Sequence, residues 1–211
     1  MWLLYLIVLA GVSYWISNVQ SSGVRGWLGA LFAAIFLIGL QGFLISQARG
    51  RKPNLKFFDL IVTSEDNFYS LSRFQIYIWT IWVVIAFAYV AFASCSFPTI
   101  PENVAILMGI NGFTTVLSSA IVDRTKLKAS TDPPDFYKNI FLDAKGTLDL
   151  PRTQMFIWTI VILAVHMYSF WCKCQSGNPS IPEVSGGLLI LMGVSNGAYL
   201  GVKHVDEKNK P

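Results

Sequence analysis

Six apolar runs, most of them close to the roughly 20 residues a bilayer core demands of a helix, leave this chain few folds to choose from. They cover residues 2–17, 27–46, 74–93, 103–122, 153–171 and 186–202. Only 13% of the 211 residues are charged, against 54% hydrophobic. A soluble domain carries roughly 25% charged residues, so a globule of this composition lacks the polar surface to face water. The expected fold class is an all-α membrane protein with six transmembrane helices.

The basic residues orient the chain. Arg49, Arg51, Lys52, Lys56 and Arg73 lie between the second and third runs; Arg124, Lys126, Lys128, Lys138, Lys145 and Arg152 lie between the fourth and fifth. Lys203, Lys208 and Lys210 follow the sixth, and of the 16 basic residues only Arg25 and Lys173 fall on the other side. The positive-inside rule then places both termini and the two long loops in the cytoplasm. A nucleic-acid interface would gather these charges, with aromatics, on one folded face; here they flank spans, so the net charge of +4 does not indicate nucleic acid. The N-terminus has no basic leader region and no small-residue cleavage site, which predicts a retained first helix.

An internal repeat organises the chain. Residues 57–80 align with 136–159 without a gap, and both copies carry Arg-x-Gln-x-x-x-Trp-Thr: Arg73, Gln75, Trp79 and Thr80 in the first, Arg152, Gln154, Trp158 and Thr159 in the second. The following loops, Phe97-Pro-Thr-Ile-Pro-Glu102 and Asn178-Pro-Ser-Ile-Pro-Glu183, also match. Each copy holds two spans, so both enter the membrane in the same direction. The expected units are an N-terminal helical hairpin over 1–48, a degenerate third copy at most, then repeats over 57–124 and 136–204. Before each signature, residues 60–71 and 140–150 show short apolar runs split by a turn, the cue for a β-hairpin. Two short cytoplasmic β-hairpins are therefore expected before the third and fifth helices.

Several side chains are candidates for more than packing. On a helix, Arg and Thr of the signature share one stripe, and Gln and Trp share another on nearly the opposite face. The arginines suit headgroup contact by snorkelling, and the Gln–Trp face suits a neighbouring helix. Gly193, Gly197 and Gly201 form a ladder in the last span, and Gly109 and Gly112 mark the fourth; small residues at this spacing let helices approach closely. The alternative is a pore lined by these glycines with Asn111, Ser195 and Asn196. His166 is the ionisable residue well inside a span, a functional candidate by its position, with a hydrogen-bonded packing role as the alternative. Glu102 and Glu183 suit helix N-termini, where a carboxylate complements the dipole. Cys95, Cys172 and Cys174 fall at the far ends of spans three and five. Cys95 could form a disulfide with either of the others if that face is oxidising, or all three could remain thiols.

No grouping of these residues supplies catalytic chemistry. There is no paired carboxylate, no Ser/His/Asp set and no metal cluster at one membrane depth, so no enzyme, cofactor or metal is expected. The pattern Ser70-Leu-Ser-Arg73-Phe-Gln75 with Trp79-Thr80, then Leu107-Met-Gly-Ile, and the closing Leu191-Met-Gly-Val-Ser-Asn-Gly-Ala-Tyr-Leu-Gly-Val-Lys203, resembles a family of uncharacterised bacterial inner-membrane proteins. That resemblance implies a bacterial inner-membrane location and no particular activity. It departs at Pro151 and at Ala198, where the family carries other residues. Three functions fit: a non-enzymatic oligomer forming a pore or channel, an accessory or scaffold subunit of a larger membrane complex, or a small-solute transporter. The expected partners are the lipid bilayer and either further copies of the chain or other membrane subunits.

Overall fold

The computed structural model describes residues 18–49, 69–121, 135–142 and 147–208, together with Gly11 and Ile16. Six helices are present among them: α1 (Ser22–Arg49), α2 (Leu71–Ser94), α3 (Glu102–Ile121), α4 (Phe136–Phe141), α5 (Leu150–Gln175) and α6 (Gly186–Lys208). All but α4 contain an apolar stretch long enough to cross a bilayer: Ser22–Leu44, Leu71–Ser94, Glu102–Ile121, Leu150–Gln175 and Gly186–Val205. Five such helices make this a multi-pass membrane protein. The span expected over 2–17 lies outside the described residues, apart from Gly11 and Ile16, which are both helical.

Local chemistry sets the helix ends. Asp149 caps α5, its carboxylate accepting from the Arg152 backbone N–H at 3.2 Å, and Pro151 sits in the first turn, where a missing N–H does no harm. Ser70 precedes α2 but makes no side-chain cap bond; its hydroxyl lies 3.1 Å from that of Ser72. Glu102 opens α3. Glu183 stops short of α6, which Ser185 caps by accepting from the Leu188 N–H at 3.3 Å. Helix α2 ends on Cys95 in a left-handed conformation, φ 50°.

The expected β-hairpins find no support among the described residues. Residues 60–68 lie outside the described residues, and no strand forms among those described. The second segment instead begins inside α4. Asp135 supplies the reason: its carboxylate accepts from the N–H groups of Tyr137 and Lys138 at 3.0 and 3.3 Å, an N-cap that starts a helix. Ile140 is then fully buried, and Phe136 packs edge-on against Tyr69 and Phe74. A single antiparallel bridge, Leu142 to Leu148, is the only trace of pairing there.

Helices α2 and α5 run parallel, since their contacts advance together: Gln75 meets Thr159, Trp82 meets His166, and Tyr89 meets Phe170. Helices α3 and α6 also run parallel. Asn103 donates to the Val184 carbonyl at 2.9 Å near one end, and Lys203 donates to the Ser118 carbonyl at 2.6 Å near the other. The four close on a core containing Trp79, Val83, Leu107, Ile162 and Met192. Helix α1 lies antiparallel along the outside of α2. Its closest approach depends on glycine: a Cβ on Gly26 would sit 2.8 Å from the Tyr89 ring, and one on Gly29 would collide with Phe92. Ile38, Phe113, Val116, Ile190 and Val194 face outward, each more than 60% exposed, which suits a lipid-facing surface.

The connection between α5 and α6 dips into this bundle. Residues 178–185 have no regular structure, yet Ile181, Pro182 and Val184 are buried. Irregular backbone at membrane depth must have its polar groups satisfied by protein. His166 and Asn103 do this, bonding the carbonyls of Pro182 and Val184 at 3.0 and 2.9 Å.

Candidate functional site

A layer of buried polar side chains crosses the bundle about half-way along α3. Ser72 and Ser118 hydroxyls lie 3.1 Å apart, and a Cβ on Gly112 would lie 3.6 Å from the Ile76 side chain. These contacts bring Asn111 level with the turn of α2 that carries Gln75 and Trp79. The Asn103–Val184 and Ser118–Lys203 bonds likewise bring Asn111 level with the turn of α6 that carries Met192, Ser195 and Asn196. Gln75 reaches Thr159 directly, which adds α5 to the layer. Gln75, Trp79, Asn111 and Thr159 have no exposed surface, and Ser195 and Asn196 are nearly as buried.

The hydrogen-bond inventory of this layer does not close. The Gln75 side-chain oxygen, the Trp79 indole N–H, both amide atoms of Asn111 and of Asn196, and the Ser195 hydroxyl have no partner among the described residues. A buried polar group left unpaired costs about 1–3 kcal/mol, so several on one level set this layer apart from the apolar core around it.

One turn further along lies a closed polar chain. The Trp82 indole donates to His166 Nδ1 at 2.8 Å, and His166 Nε2 lies 3.0 Å from the Pro182 oxygen. An indole can only donate, so Nδ1 is unprotonated and Nε2 carries the proton it gives to Pro182. His166 is thereby fixed as one neutral tautomer, its ring edge-on to Trp79 at 5.7 Å between centroids. Trp82 has no counterpart in the second copy, where Val161 aligns with it, so the repeat does not draw attention to it. The usable signal was spacing: Trp82 stands seven residues after Gln75, as His166 stands seven after Thr159.

The repeat signature does not form one site. In the first copy Gln75 and Trp79 are fully buried; in the second Gln154 is exposed and Trp158 half-buried. Thr159 is buried while Thr80 is half-buried and bonds its own helix at the Ile76 carbonyl, 2.7 Å. Arg73 is half-buried. Arg152 folds back on its own helix start, pairing with Asp149 at 2.8 Å and donating to the Leu142 carbonyl at 3.0 Å. Of the glycines, Gly112 contacts α2, whereas a Cβ on Gly109, Gly193, Gly197 or Gly201 would meet nothing within 4 Å; that ladder looks outward. Cys95, Cys172 and Cys174 are free thiols, the first two exposed. No group of three or more His, Cys, Asp or Glu side chains comes together among the described residues.

Lipid-length helices closing on a buried amide layer define a multi-pass helical membrane protein. No family model matches this chain, and neither a curated protein nor a solved structure does.

Proposed function

We propose that the protein is a non-enzymatic channel of the bacterial cytoplasmic membrane, with both termini cytoplasmic, in which the buried polar layer is the point that a solute must cross. The observation that supports it is the set of unpartnered polar atoms at one depth inside a single chain. The route then runs through each protomer and not between protomers. The outward glycine face of α6 suits assembly into an oligomer, because small-residue faces are where membrane helices associate. Purified protein in liposomes tests the proposal by solute flux; a well-folded sample that passes nothing removes it. The same outward face favours a second function, an accessory subunit held against another membrane protein. Recovery from native membranes always as the isolated chain would argue against that alternative.

A further inference from the structure

We infer that the buried layer binds a small uncharged solute that both donates and accepts hydrogen bonds, the chemical class of urea, short amides and water. This rests on the channel proposed above and names what that channel passes.

The inventory of unpartnered atoms carries the inference. The Thr159 hydroxyl proton is committed to the Met155 carbonyl at 2.8 Å, so Thr159 can only accept from Gln75. The Gln75 nitrogen therefore faces Thr159, and its carbonyl oxygen is the free atom. One turn on, the Trp79 indole is a donor only. Asn111 and Asn196 each offer an acceptor and a donor group, and the Ser195 hydroxyl offers either. The layer is thus mixed in sign, which suits a molecule that is itself both donor and acceptor.

Charge points the same way. Residues 75–79, 107–114, 155–163 and 192–199 contain no Asp, Glu, Lys or Arg. Arg73, two residues before Gln75, is half-buried, and His166, seven residues beyond Thr159, is held neutral by Trp82 and Pro182. A cation here would meet N–H groups with no carboxylate in these segments to balance it, and an anion would meet amide oxygens that repel it. Taking an unpaired ion out of water costs several kcal/mol, whereas an uncharged solute exchanges its hydrogen bonds with water for equivalent ones.

The test is stopped-flow permeability of proteoliposomes holding the full chain, in gradients of urea, of potassium chloride, and of impermeant sucrose for water. Urea should cross faster than through protein-free vesicles while potassium and chloride do not. Asn111→Leu and Asn196→Leu should each reduce urea passage about tenfold, the effect of one to two lost hydrogen bonds. If either leucine variant fails to fold, Asn111→Ser or Asn196→Ser replaces it, with a smaller loss expected. Passage of water without urea assigns the layer to the smallest member of the class. Passage of potassium or chloride at rates unaffected by these substitutions overturns the inference and leaves the channel standing. If nothing crosses, the channel falls, and the site is judged at equilibrium by saturation transfer from urea, and from water, to the labelled side-chain amides of Asn111 and Asn196 in nanodiscs. Transfer supports a binding site; none from either overturns it.

Discussion

Replacing Trp82 with phenylalanine removes one proton donor and strands the buried His166 Nδ1 that it served. A hydrogen bond of this kind contributes about 0.5–1.5 kcal/mol, and the orphaned acceptor adds about 1–3 kcal/mol. The lost ring area would confuse a single measurement, so a double-mutant cycle is needed. His166→Phe leaves both the Trp82 indole and the Pro182 carbonyl without their partner. The pair of substitutions removes the bond once, and the coupling energy isolates it. Within membranes such couplings average about 0.6 kcal/mol and reach about 1.7; the 2.8 Å bond to a buried histidine here places the expected value in the upper half of that span. Reversible unfolding in mixed micelles, followed by circular dichroism, gives the four stabilities. A coupling below about 0.3 kcal/mol, within ordinary additivity error, would refute the bond and with it the assigned tautomer. Nitrogen NMR of labelled histidine checks the tautomer directly: Nε2 should carry the proton.

Gly29→Val should destabilise the fold by about 1–3 kcal/mol through overpacking against Phe92, while Gly197→Val, which faces outward, should leave monomer unfolding within about 0.5 kcal/mol and act only on assembly; equal effects would mean the two glycine faces are misassigned. Asp149→Ala removes both the α5 cap and the Arg152 partner, so a loss of about 1–2 kcal/mol is expected in the same unfolding assay. Exposed Cys95 and Cys172 should react with a membrane-impermeant maleimide added outside intact cells, and Cys174 more slowly. Labelling only after permeabilisation would reverse the proposed orientation.

The five spans from α1 onward were legible because their signal is cumulative. Twenty apolar residues in a row outweigh any single ambiguity, and the helix starting at Gly186 falls where the sequence put it. The β-hairpin expectation failed on shorter evidence. Residues 140–150 alternate enough to suggest strands, but the Asp135 cap and the aromatic contacts of Phe136 carry the first two of them into a helix that ends at Phe141, and the described remainder shows one bridge, Leu142 to Leu148. The buried layer was only partly legible. Asn111, Ser195, Asn196, Gln75 and Trp79 all stand out in the sequence, yet nothing in it says that they share a depth. The repeat also misleads, because identical residues in the two copies suggest identical roles. Gln75 turns into the bundle and bonds Thr159 of α5, whereas Gln154 lies on a face of α5 that stays exposed. Burial is a property of what surrounds a residue, which a local motif does not encode.

The tethered segment between α5 and α6 shortens the apolar path on one side of the polar layer. His166 lies seven residues beyond Thr159, so backbone that is no longer helical comes within about 10 Å of the polar layer along the helix axis. Half of a lipid hydrocarbon core is roughly 15 Å. The polypeptide itself therefore shortens the apolar path on the side of Pro182, while on the other side Arg73 and Arg152 stand two and seven residues from Gln75 and Thr159, about 3 and 10 Å along the axis. A permeant molecule would meet a shortened apolar path on both sides of the layer.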